Sequence, residues 1–479
     1  MLIRRLHFHG AFVAALGAAG FAAMTLDAAR AQDAANTINA SSAASADSAA
    51  SADPAQMDQA SMRNARDRVF PALLFVRVVM QDMESGERSA REASGSGFII
   101  SADGYFVTNW HVVDKATEVR CLLTDGRSFA ADIIGSDKDT DLALGKLRMP
   151  EGESAPAAAF GYSSALTECD QVLVMGAPWG MSRSISTGII SCAKRYLEKA
   201  SEYILWLQTD ASISPGNSGG PVVNAAGEVV GITARGTFFG GDLGFAIPSD
   251  EAQIIIAQLR EFGAMNWSWT GIELQPLRDF NKNITFPYTN GVMIAETDEG
   301  SPARRAGFLD RDRLVSVNGI AVTGATIEDL PEIRRLLGLL PKDKPAECVV
   351  MRGAEAVALT LTPREKGQVE GEELDFPRWG FTAKAINQFD NPSLYFYQEK
   401  GVFIFGTKHP GNAQSAGLRE GDIIVSVAGK PVETLEELKE LYDAALLAID
   451  RQHRLVLTIL RGGFPRQIVL DFSRDYNRR

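Results

Sequence analysis

Six positions in the second half of the chain recur at a fixed interval. Gly291, Ala306, Gly307, Asp312, Val317 and Gly319 reappear as Gly401, Ala416, Gly417, Asp422, Val427 and Gly429, each 110 residues later. Identity at a constant offset marks an internal duplication, so the C-terminal half must fold as two similar units. Each copy adds an earlier glycine followed by an apolar residue, Gly271-Ile272 and Gly380-Phe381. Each also has a later amphipathic stretch, around Ile327 to Leu340 and Leu435 to Leu447. These are the ingredients of a small mixed sheet with one or two helices, and the charged segment Arg364 to Glu373 separates the copies.

The first half reads differently. From Met62 to Gly263, short apolar or alternating runs such as Ala72 to Met80, Gly97 to Ser101, Gln171 to Met175 and Val229 to Thr233 are broken by Gly, Asp and Ser turns, an all-β pattern. Helical spacing stands out only at Glu251 to Phe262, where Ile254, Ile255, Ala257 and Leu259 are expected to cover one side of a closing helix. Ahead of this domain, Arg4 and Arg5 precede an alanine-rich uncharged stretch and Ala29-Arg30-Ala31, the form of a cleaved export signal over residues 1–31. An uncleaved anchor is the competing expectation, since the stretch is near spanning length. Residues 32–61, mostly Ala, Ser, Asp, Asn and Gln, are too poor in large apolar side chains to fold and are expected to form a tether.

The net charge of -12 argues against nucleic acid as a partner, because phosphate binding needs a basic surface. The cysteines at 121, 169, 192 and 348 fit an oxidising compartment. Cys169 and Cys192 could pair, and all four equally fit small buried apolar positions; their spacing offers no metal site.

Chemistry concentrates in three places. The segment Asp210-Ala-Ser-Ile-Ser-Pro-Gly-Asn-Ser218-Gly-Gly-Pro surrounds a serine with glycines. Such a loop can turn sharply enough to aim the Gly216 and Ser218 N–H groups at a developing oxyanion. His111 is the only histidine between residues 10 and 408, so an imidazole base for Ser218 within this domain must be His111. Asp141 precedes a short apolar strand, where its carboxylate can be buried and orient the imidazole. The order His, Asp, Ser is that of two-barrel peptidases, not of α/β-hydrolases. No metal or organic cofactor is called for. Gly161-Tyr-Ser163 lacks a strand-to-helix context and is expected to be a loop. Ala211, Ser212 and Ile213 stand where a wall of the specificity pocket is expected and carry no acid, which predicts a small or medium apolar P1 residue.

Taken together, Gly95-Ser-Gly-Phe-Ile-Ile, Thr108-Asn-Trp-His-Val-Val, Asp139-Thr-Asp-Leu-Ala-Leu, Gly176-Ala-Pro-Trp-Gly, Gly188-Ile-Ile-Ser, Gly216-Asn-Ser-Gly-Gly-Pro and Asp242-Leu-Gly-Phe-Ala-Ile-Pro resemble the HtrA (Deg-type) serine proteases with two PDZ domains. The resemblance runs from about residue 62 to 479. It implies a mainly β protein, with a chymotrypsin-like double β-barrel at 62–263, a first PDZ domain at 267–363, a linker at 364–373 and a second PDZ domain at 374–479. It implies the triad His111, Asp141 and Ser218, with Gly216 and Ser218 as oxyanion donors. It further implies carboxylate-binding loops at Thr270-Gly271-Ile272 and Trp379-Gly380-Phe381, and a sensor loop in which Arg195 is a candidate relay between the catalytic and PDZ domains.

Expected partners are unfolded polypeptides and exposed C-terminal or apolar peptides, in a homotrimer or larger homo-oligomer in the periplasm, with no membrane span once the signal is cleaved. The alternative function is a PDZ-based chaperone or scaffold with little proteolysis. Two departures stand out: Trp110, where a smaller residue is common and could crowd the site, and Arg311, where the second repeat has Gly421. The segment Met80 to Ser94 is too short to hold the long regulatory loop of some members.

Overall fold

The computed structural model describes residues 58–177, 184–237, 243–281 and 288–476. The expected export signal, most of the tether, and Pro178, Trp179, Gly180 and Asp242 of the quoted motifs lie outside them. A helix α1 (Gln59–Val69), capped by the Asp58 carboxylate accepting from Ser61 N–H, leads into the first barrel.

That barrel closes in the order β1-β2-β3-β6-β5-β4. Its strands are β1 (Leu73–Asp82), β2 (Ser89–Ile99), β3 (Tyr105–Thr108), β4 (Ala116–Leu123), β5 (Ser128–Asp137) and β6 (Leu142–Leu147). Between β3 and β4 lies the short helix α2 (Trp110–Val113). Burial alternates as the pleat demands: Val76 and Val78 point inward on β1 while Arg77 faces out and pairs with Glu92 across the strand. Each inward aliphatic contributes about 1.5–3 kcal/mol of burial. Gly145 is required on β6, because a Cβ there would stand 2.2 Å from the ring of the buried Phe106.

The second barrel closes as β10-β11-β12-β9-β8-β7. It is built from β7 (Gln171–Gly176), β8 (Ser184–Arg195), β9 (Trp206–Thr209), β10 (Pro221–Val223), β11 (Val229–Thr237) and β12 (Leu243–Pro248). Helix α3 (Ser249–Phe262) closes the unit, with Asp250 and Glu251 in its first turn, Arg260 in its last, and Gly263 ending it at φ 76°. Its buried face is Ala252, Ile255, Ile256 and Leu259 rather than the expected set, since a stripe at i, i+3, i+4, i+7 begins at Ala252. Ile254 is instead exposed and lines a small cleft toward the first repeat with Trp267 and Leu339.

Each repeat is an antiparallel sheet with its own core. The first has six strands, with Ile272–Gln275 at one end bonded to Val292–Thr297, and the helix Leu330–Gly338. The second has seven strands and the helix Leu435–Leu447, whose capping box joins Thr434 and Glu437. The intervening charged segment is not a loose tether. Arg364–Glu365 pair with Ser268–Trp269, Lys366 binds Asp139 at 2.7 Å, Glu370 binds Lys138, and Glu373 binds Lys115 at 2.6 Å. The short turn between β1 and β2 is a docking point: Met83 O accepts from Thr382 Oγ1 at 2.6 Å and Glu87 pairs with Lys408. All four cysteines are free; Cys121 and Cys348 are buried, whereas Cys169 is exposed and Cys192 half-buried.

Candidate active site

Asp141 follows a tight turn and takes φ 57°, a left-handed conformation that an aspartate tolerates better than most residues. Its main-chain carbonyl accepts from Trp110 N–H and Asn109 Nδ2, at 3.1 and 3.0 Å. The buried carboxylate then accepts from His111 N–H at 3.1 Å and from Nδ1 at 2.8 and 2.9 Å. A carboxylate can only accept, so Nδ1 carries the proton and Nε2 keeps its lone pair. One aspartate thereby fixes both the backbone and the tautomer of the histidine.

Ser218 lies in the loop between β9 and β10, which is bolted to the first barrel. Ser96 N–H donates to Ser218 O at 2.8 Å, Ser96 Oγ donates to Gly216 O at 2.6 Å, and Ala177 N–H donates to Ser96 Oγ at 2.9 Å. Gly219 has φ 84°, and a Cβ on it would stand 2.2 Å from Ser96 O and 2.5 Å from Thr108 Oγ1. The loop can approach β2 and β3 this closely only through glycine. Within the loop Asn217 N–H donates to Ser214 O, Gly219 N–H to Thr233 O and Gly220 N–H to Asn217 O. Among the described residues, the N–H groups of Gly216 and Ser218 have no such partner, and these are the two expected to face an oxyanion. The Ser218 hydroxyl donates to Ala234 O at 3.3 Å rather than to His111, so it must rotate to reach the imidazole.

Of the expected pocket residues, Ala211 is buried and Ser212 O accepts from Ser186 Oγ at 2.7 Å. Ile213 packs where Gly236 on β11 and Gly244 on β12 face each other, and a Cβ on Gly244 would be 2.5 Å from its Cδ1. Sequence reasoning quoted Ser96 and Gly244 within motifs without giving either a role, and did not single out Gly236; glycines paired across consecutive strands are the signal that could have found the two glycines. Trp110 lies under Lys138, whose Nζ is 5.3 Å from the ring, and lines the clefts toward segment 365–372.

The expected loop of the first repeat has Thr270 buried, Gly271 at φ 70°, and Thr270 O bonded by Ala303 N–H. It opens on a cleft of about 600 Å³ shared with Tyr196, Glu198, Arg334 and Phe389. Partial desolvation, with Glu202 and Asp298 nearby, raises Glu273 above its ordinary value despite the opposing Arg334. In the second repeat Trp379 is fully buried and Gly380 N–H donates to Phe376 O at 2.9 Å. Arg195 donates from Nε to Gln208 at 3.0 Å, and the adjacent Tyr196 hydroxyl accepts from Arg334 of the first repeat at 3.3 Å. Trp267 stacks on Tyr203 at 4.0 Å and donates to Asp137, which burial and Asp139 push up to about 6.

Comparison with known proteins agrees with this architecture. Residues 95–232 match the trypsin-like peptidase domain, and residues 293–344 and 409–461 each match the PDZ domain. The chain is 34% identical over 366 residues to a probable periplasmic serine endoprotease, DegP-like, of Halomonas elongata, covering 74% of this chain and 75% of the relative. It is 34% identical over 392 residues to the DegP-like protein of Hahella chejuensis, covering 80% and 81%. Among solved structures, the HtrA-type protease AlgW with decapeptide superposes with TM-score 0.55 at 28% identity, over 64% of this chain and 99% of that one. The chain belongs to the DegP-like periplasmic serine endoproteases of the HtrA type: a two-barrel peptidase followed by two PDZ domains.

Proposed function

We propose that Ser218 attacks a peptide carbonyl while His111 Nε2 takes its proton, and that the acyl-enzyme is hydrolysed by water activated by the same imidazole. The observation carrying this assignment is the Asp141 carboxylate, which holds both His111 N–H and Nδ1 and leaves Nε2 as the acceptor. Gly216 and Ser218 N–H groups supply the oxyanion site, and the Asp141 carboxylate beside Nδ1 favours the imidazolium. Ala211, Ser212 and Ile213 set a P1 preference for small or medium apolar residues. Unfolded periplasmic proteins are the substrates, presented by a homotrimer or larger assembly. The first PDZ domain takes exposed C-terminal or apolar segments through Thr270, Gly271 and Ile272, and Arg195 relays its occupancy to the catalytic loops.

A fluorophosphonate probe tests the catalytic assignment. Mass spectrometry should find the adduct on Ser218, with labelling slowed by several orders of magnitude in His111→Ala. Labelling of another serine, or an undiminished rate in that variant, would refute it.

A further inference from the structure

The two repeats differ at the sheet edge beside the carboxylate-binding loop. In the first, Ile272–Gln275 pairs with Val292–Thr297 and, among the described residues, has no strand on its other side. In the second, Phe381–Ala385 pairs with Val402–Thr407 on one side and with Glu373–Phe376 on the other. The latter runs antiparallel and ends at the loop, the direction in which a peptide C-terminus enters such a groove.

We propose that PDZ2 carries its peptide ligand within the chain, with Phe376 and Leu374 occupying the places of a bound peptide's last and third-last residues. Phe376 O receives the Gly380 N–H at 2.9 Å, where a terminal carboxylate would be held. The Phe376 ring is fully buried against Phe381 at 5.2 Å and Tyr442 of the helix Leu435–Leu447 at 5.3 Å. Strand side chains alternate, so Leu374 shares that face and packs on the same core. The outward members serve other ends: Glu373 pairs with Lys115 and Lys384, and Asp375 pairs with Arg88.

The first repeat shows why its edge stays open. By the 109-residue offset that aligns Gly271 with Gly380, Trp267 stands where Phe376 does. Trp267 leaves the groove for the protease domain, stacking on Tyr203 and donating to Asp137. An equivalent internal ligand is thus drawn away from PDZ1 and kept in PDZ2. Peptides engage PDZ1 alone, which rests on the PDZ1 assignment above, while PDZ2 is committed to holding the linker against the barrel.

The test uses the full chain as Ser218→Ala, to spare the probe, and a decapeptide ending in Leu-Asp-Phe with a free carboxylate. Hydrogen exchange should show Phe381–Ala385 and Glu373–Phe376 protected without peptide and unchanged at saturation, with calorimetry giving one peptide per chain. Leu374→Asp combined with Phe376→Ser should raise the stoichiometry to two. Rapid exchange of Phe381–Ala385 in the free chain, or peptide-induced protection there with loss of protection in Glu373–Phe376, would overturn the proposal. So would a stoichiometry still at one in the double variant with PDZ2 folded; if PDZ2 fails to fold, the exchange of the unaltered chain decides. If neither edge responds and PDZ2 stays protected, the internal ligand stands and the PDZ1 assignment falls.

Discussion

Arg311 holds φ 70° where the second repeat has Gly421 at φ 80°. A long side chain in that region is strained and glycine is not, so Arg311→Gly should stabilise PDZ1 by about 1 kcal/mol. Local hydrogen exchange in PDZ1 would check it, and faster exchange in the variant would contradict it. Asp137 provides a test with a defined sign. Below 3.8 the folded and unfolded states both keep its proton, whereas above about 6 the folded carboxylate is charged in a buried site. Stability therefore falls as pH rises between those values and levels off above, a slope that Asp137→Asn should remove. Denaturation midpoints of both proteins across this range would decide, and equal slopes would contradict the account. The proposed P1 preference rests on Ala211, Ser212 and Ile213, none of which is an acid that could pair with Lys or Arg. Mass spectrometry of cleaved unfolded proteins should show Val, Ala or Ile before the cut; dominance of Lys or Arg would overturn that preference. The expected triad residues were legible because each lies in a short motif of unusual composition. The clamping role of Ser96 was not: it stands in a quoted motif, but Ala177, Gly216 and Ser218, which it ties to the first barrel, lie 81 to 122 residues away.

Elements carry the next level of control. Strand β8 ends at Arg195, bonded to Gln208 on β9, and the residue after it touches the PDZ1 helix through Arg334. Contacts of 3.0 and 3.3 Å on a half-buried edge can be exchanged at small cost, as a two-state relay requires. A saturating PDZ1 ligand should raise cleavage of a short chromogenic peptide by roughly 5- to 150-fold, and Arg195→Ala should lose that rise while keeping ligand affinity. Equal activation in both proteins would remove Arg195 from the relay. The all-β pattern, the closing helix and the duplicated sheets were legible from periodicity. The buried face of α3 was misjudged: Ile254 is as apolar as Ile255, and only the choice of Ala252 as the start of the i, i+3, i+4, i+7 stripe puts Ile255 inside and Ile254 outside. The pairing of Glu373–Phe376 escaped too: the sequence places the boundary between linker and second repeat after Glu373, and four residues of alternating acidic and apolar character do not by themselves mark a strand across it.

Across the whole molecule, the linker binds the segments that carry Asp141 and His111. Asp139 and Lys138 precede Asp141, and Lys115 follows the His111 helix; Lys366, Glu370 and Glu373 hold them in turn. Lys384, whose charge burial opposes, is kept above its usual pKa by Asp390 and Glu373, so it stays charged through neutral pH beside this network. None of these pairs was visible in the sequence, since they join residues 227 to 258 positions apart. The family, the order of the domains and the chemistry were visible, because they reside in motifs and in a repeat. Everything else in the account depends on peptide hydrolysis by Ser218, and the most direct measurement is the initial rate of casein digestion by the purified chain and by Ser218→Ala. The account predicts steady digestion by the former and a loss of roughly 10⁶-fold, to background, in the latter; undiminished digestion by Ser218→Ala would contradict it.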